Sequence, residues 1–115
     1  MAGIVFFGTE RLDRVVQFYL DEVDASVWIE QDGCTILRHG DFRFGFCERE
    51  SADTCGTVTF YYDDRDAVDA MYDRLAHLAR DPPRENEQYD IYQFFADDPE
   101  GRTVEFQTFL HPVSD

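Results

Sequence analysis

Glu105 is the residue whose type and setting most suggest chemistry. It lies in Tyr92–Gln107, YQFFADDPEGRTVEFQ, where it interrupts an apolar run. In the stretch Thr103–Phe109 the residues alternate. Val104 and Phe106 fall on one face of a strand, and Thr103, Glu105 and Gln107 on the other. A carboxylate so placed can bridge neighbouring strands by hydrogen bonds, accept a ligand's cationic or hydrogen-bonding end, hold part of a metal shell, or move a proton if desolvated. The three histidines, His39, His77 and His111, have spacings that match no ligand motif, and we expect surface roles for them. The cysteines, Cys34, Cys47 and Cys55, are odd in number and include no CxxC pair. Neither a disulfide framework nor a zinc knuckle is suggested, and small buried thiols in a reducing compartment are expected. No G-x-S-x-G, P-loop or dinucleotide fingerprint is present, so acyl-transfer and nucleotide chemistry lack support.

The elements that must position Glu105 follow from periodicity. Asp98-Pro99-Glu100-Gly101 is a turn, with Pro99 fixing φ and Gly101 able to take positive φ. It joins two strands, Tyr92–Ala96 and Thr103–Phe109. Earlier strands are predicted at Ile4–Gly8, Ser26–Glu30, Thr35–His39, Phe42–Cys47 and Thr57–Tyr62, with turns at Gln31-Asp32-Gly33 and Gly40-Asp41. Arg11–Leu20 reads as a helix that Thr9 can cap. A second helix carries Val68, Met71, Tyr72, Leu75 and Leu78 on one face, starts after Asp63-Asp64, and is stopped at Asp81-Pro82-Pro83. A further strand is predicted at Arg84–Gln88.

The chain reads as one unit used twice. Shifted by 53 positions, Val5 meets Val58, Phe7 meets Phe60, Val15 meets Val68 and Tyr19 meets Tyr72. At the far end the offset is 60, and Phe44 meets Val104 while Phe46 meets Phe106. The extra residues fall in the loop around Pro82–Glu87.

Composition bounds the partners. The 115 residues suit a single domain, and 43% hydrophobic with 16% aromatic content argues against disorder. The net charge is −15, every basic residue is arginine, and aspartate outnumbers glutamate. Such a surface repels phosphate backbones and anionic lipid, so neither nucleic-acid nor membrane binding is expected. It also suits multimolar salt, where a Debye length of ~3 Å at 1 M suppresses self-repulsion. The N-terminal stretch lacks a basic region and a long apolar run, which points to a cytoplasmic protein without a signal peptide.

The repeated βαβββ unit, with Phe18-Tyr19 on the first helix, Asp63-Asp64 before the second, and Asp98-Pro99-Glu100-Gly101-Arg102-Thr103-Val104-Glu105 at the last turn, resembles the glyoxalase, bleomycin-resistance and extradiol-dioxygenase (vicinal oxygen chelate) superfamily. The resemblance spans Ile4 to Phe109. It implies an α+β fold of two tandem βαβββ modules, about 3–48 and 56–110, whose mixed sheet curls around a cleft with the helices outside. It also implies a homodimer. The superfamily's metal enzymes take ligands from the first and last strand of each module, which here are Ile4, Gly45, Thr57 and Glu105. Only Glu105 is an ordinary ligand for a divalent ion. The resemblance therefore points to a small-molecule binder without a metal cofactor. The alternative is a divalent-metal-dependent lyase, isomerase or dioxygenase that uses Glu105 as metal ligand or catalytic group. The ligand-contacting residues expected from alternation are Phe6, Thr57, Thr59, Glu105 and Gln107, with Trp28, Tyr92 and Phe94 stacking on a small organic molecule.

Overall fold

The computed structural model describes residues 2–114. These divide into two units, with the boundary between Cys55 and Gly56. Each contains one helix and a four-stranded mixed sheet, so the chain is α+β with the βαβββ order occurring twice.

In the first unit β1 (Val5–Thr9) is followed by α1 (Leu12–Asp21), β2 (Ser26–Gln31), β3 (Cys34–His39) and β4 (Phe42–Glu48). The sheet order is β1-β4-β3-β2, with β1 parallel to β4 and the remaining pairs antiparallel. A parallel β1–β4 pair is what a crossover through a helix produces. The helix buries Val15, Phe18 and Tyr19. The Tyr19 ring lies 5.3 Å from that of Phe44 and 5.1 Å from that of Phe46, so one aromatic cluster fastens the helix to β4. Thr9 caps differently from expectation. Its hydroxyl accepts from the Arg11 amide at 3.0 Å, just ahead of the helix, and no side chain caps α1 itself.

The second unit repeats the plan with β5 (Thr57–Tyr62), α2 (Arg65–Leu75), β6 (Arg84–Asn86), β7 (Ile91–Asp97) and β8 (Thr103–Phe109), in the order β5-β8-β7-β6. Asp64 caps α2 by accepting from the Ala67 amide at 2.9 Å. Val68, Met71 and Leu75 are buried. Tyr72 meets Phe94 edge-on at 5.5 Å, and Phe94, Phe106 and Phe60 stack in series at 4.9 and 5.7 Å. The helix ends at Leu75, three residues short of the predicted Leu78. Beyond it, Ala79 bridges Ala96, and the Arg80 amide donates to the Phe95 carbonyl at 2.9 Å. The chain leaves the helix to lengthen the β7 edge that the short β6 covers only in part.

The Asp98–Gly101 turn is held by a buried carboxylate. Asp98 Oδ1 accepts from the Glu100 and Arg102 amides at 2.9 and 3.0 Å, and Oδ2 accepts from the Arg102 guanidinium at 2.5 Å. Arg102 is 0% exposed and has a second partner in Glu100 at 3.3 Å. Gly101 takes φ 78°, in the left-handed region that glycine enters without steric cost. This turn fixes the β7–β8 register and therefore what stands beside Glu105.

One sequence expectation fails here. Cys34 and Cys47 form a disulfide rather than two buried thiols, and only Cys55 among the described cysteines is free. The pair stands directly opposite across the β3–β4 hairpin, with Cα atoms 4.1 Å apart. Counting spacings along the chain misses a cross-strand pair. Counting outward from the Gly40-Asp41 turn would have found it. Among the described residues no helix is long and apolar enough to cross a membrane.

Candidate functional site

Glu105 sits mid-strand in β8, with Thr59 of β5 opposite on one side and Phe95 of β7 on the other. Its neighbours Val104 and Phe106 are buried against α2, so the carboxylate lies on the sheet face away from the helix. Thr59 Oγ1 donates to Glu105 Oε1 at 2.8 Å. Gln93 Nε2 donates to Oε2. Gln93 Oε1 in turn accepts from Asn86 Nδ2 at 2.8 Å. Asn86 belongs to β6, Gln93 to β7, Glu105 to β8 and Thr59 to β5. One polar chain thus crosses all four strands and ends at the carboxylate from both sides. Each oxygen keeps acceptor capacity for a further donor.

That capacity faces a cavity of about 500 Å³ whose lining includes Thr57, Gln93, Phe95, Glu105, Gln107 and Phe109. Apolar walls with a few placed polar groups are the usual make-up of a small-molecule site.

The sequence-predicted residues separate into three sets. Thr57, Thr59, Glu105 and Gln107 share the face away from α2, as the alternation required. Tyr92 and Phe94 do not. Phe94 is opposite Phe106 and buried beneath α2, and the Tyr92 hydroxyl donates to Asp69 of α2 at 2.6 Å. Arg65 also lies over the Tyr92 ring at 4.8 Å. The expectation that these two rings stack beside Glu105 is corrected: Phe95 and Phe109 hold those places. Phe6 and Trp28 belong to the sheet of the first unit.

Sequence reasoning missed Asn86, Gln93 and Phe95. The run YQFF is apolar on both faces of the strand at Phe94-Phe95, so alternation alone could not choose a face. Register counted back from the Asp98–Gly101 turn places Phe95 opposite Glu105 and Gln93 opposite Gln107.

The first unit presents the same ladder with different contents. Gly45 pairs with Phe6 as Glu105 pairs with Thr59, and Cys34 faces Cys47 as Gln93 faces Gln107.

Comparison with solved structures supplies the context. A glyoxalase/bleomycin resistance protein/dioxygenase from Nocardioides superposes with TM-score 0.78 at 14% identity, over 99% of this chain and 86% of that one. The fold is that of the glyoxalase/bleomycin-resistance proteins. A structure of that class from Burkholderia phytofirmans PsJN gives TM-score 0.79 at 19% identity, covering 93% of this chain and 97% of the other. Lactoylglutathione lyase from Agrobacterium tumefaciens gives 0.76 at 18% identity, covering 94% and 92%. No protein-family model matches the sequence, and no curated protein matches it.

The glyoxalase/bleomycin-resistance fold raises the question of a divalent ion. Of the four positions that the resemblance assigns to metal ligands, Ile4 and Gly45 have no donor side chain and Thr57 is a weak donor. The amide beside Glu105 turns its N–H toward the carboxylate, not an oxygen toward a shared ion. Among the described residues no three His, Cys, Asp or Glu side chains form a group that could hold a metal. The donor set does not fit a divalent site.

Proposed function

We propose that this protein binds a small organic molecule on the Glu105 face of its second unit, without a metal cofactor. The ligand's cationic or hydrogen-bond-donating end meets the Glu105 carboxylate. Its apolar or aromatic body lies on Phe95 and Phe109, with Thr57 and Gln107 at the edge. The carrying observation is the Asn86–Gln93–Glu105–Thr59 chain, which holds the carboxylate in one orientation toward a cavity of about 500 Å³. A pre-oriented acceptor loses little freedom on binding, which favours affinity. The fold accommodates many chemistries, so the reading rests on this site and not on the likeness alone.

The composition supports two further parts of the proposal. The charge of −15 without lysine fits a protein that works in concentrated salt, in a cytoplasm of that kind. Pairing of two copies into a homodimer is suggested by the resemblance, and light scattering at high salt tests it.

The test of function is a thermal-shift screen of small aromatic amines, amides and neutral aromatics against chelator-treated protein, together with elemental analysis of protein purified at high salt. Stabilisation by amine or amide donors in metal-free protein supports the reading. Stoichiometric bound metal, with no ligand effect after its removal, would favour a metal-dependent lyase, isomerase or dioxygenase.

A further inference from the structure

Arg38 and Arg43 are direct partners across the β3–β4 ladder of the first unit. Like charges placed directly opposite on one sheet face repel. In a chain with 10 basic and 25 acidic residues, a carboxylate partner for each would be the obvious remedy. Neither has one among the described residues. Arg65, Arg80 and Arg102, by contrast, do form ion pairs. Arg38 Nε reaches the Ser26 hydroxyl, and Arg43 the Gly40 carbonyl, each at 3.4 Å.

The surroundings of the pair are apolar and open. The Arg43 guanidinium lies over the Trp28 ring at 4.8 Å. Trp28 is 42% exposed and Phe6 49%. By alternation the next rank on this face, beside the arginines, is Phe6, Gly45, Ile36 and Ile29. A row of two guanidiniums thus borders a row of aromatic and aliphatic side chains.

We infer that the β3–β4 face of the first unit is a ligand site for a small aromatic carboxylate whose anion bridges Arg38 and Arg43 and whose ring lies on the exposed Phe6 and Ile29, on either side of the buried Ile36. A planar carboxylate matches the guanidinium fork and relieves the repulsion between the two cations. The apolar shelf gives the aromatic body a surface that an inorganic anion would not use. The inference stands on Arg38 and Arg43 and on the opposite ligand charge, so its test succeeds or fails separately from that of the Glu105 reading.

Trp28 is the single tryptophan of the chain and touches Arg43, so its emission reports on the site directly. Benzoate titrated at constant ionic strength should change that emission saturably, with benzamide and sulfate giving no such change. Arg38→Gln leaves the Trp28 stack intact and should weaken benzoate by about tenfold or more, and Arg38→Lys by less. Arg43→Gln alters the emission itself, so its effect is read by calorimetry, with the same loss expected. The proposal is overturned if benzoate gives no saturable response, if benzamide or sulfate matches it, or if folded Arg38→Gln binds benzoate as tightly as the parent.

Discussion

The ring of Phe6 lies across Gly45, so closely that a Cβ on Gly45 would meet its Cε1 at 2.6 Å. The glycine is therefore what lets the ring lie flat on the first sheet. Gly45→Ala should push the half-exposed ring away at a cost of about 1–3 kcal/mol, the range for overpacking. In a Phe6→Ala background the same change should cost much less. Denaturant unfolding of the two single variants and the double variant measures that coupling. Additive costs would show that the ring and the glycine do not interact.

The buried Asp98–Arg102 pair predicts a steeper loss. Arg102→Met removes the buried cationic partner of the Asp98 carboxylate, and Asp98→Asn weakens both the turn and the ion pair. Removing one partner of a buried pair costs about 3–5 kcal/mol. Thermal unfolding checks this, and a loss below about 1 kcal/mol would mean that the pair behaves like a solvent-exposed one.

The Cys34–Cys47 disulfide, with a sequence separation of 13, should stabilise by about 3 kcal/mol through loop closure. Reductant should lower the melting temperature of the parent and leave that of a Cys34→Ser, Cys47→Ser variant unchanged. An equal response in both would place the effect elsewhere.

His39 predicts a pH dependence. Burial lowers its pKa from the ordinary 6.5, with Asp24 opposing in part. The unfolded chain therefore takes up a proton more readily than the folded one. Stability from this group is fully present above the unfolded value and falls as pH drops below about 6.5 toward the lower folded value. His39→Gln should flatten the stability profile between pH 7.5 and 5.5, above the ordinary carboxylate range of about 4. An unchanged slope would mean that His39 titrates alike in both states.

The repeat, the element order and the strand Thr103–Phe109 were legible in the sequence because strong period-two and helical patterns lie between clear turns. The shared sheet face of Glu105, Thr57, Thr59 and Gln107 was legible for the same reason. Tyr92 and Phe94 were misplaced because Phe94 and Phe95 make both faces of β7 apolar, and only the buried turn chemistry sets the register. The disulfide was missed for a related cause: proximity across a hairpin is not proximity along the chain. Gln93 and Asn86 carry no motif, and their role exists only through strand pairing.

The account stands most directly on Glu105. Calorimetric titration of an aromatic amine or amide identified by screening, in chelator-containing buffer at high salt, compares the parent with Glu105→Gln and Gln93→Leu. We expect binding in the parent, a loss of about tenfold or more in Glu105→Gln from the missing charge-assisted bond, and a smaller loss in Gln93→Leu, where the carboxylate is no longer held. Equal affinity in the parent and a folded Glu105→Gln variant would contradict the account.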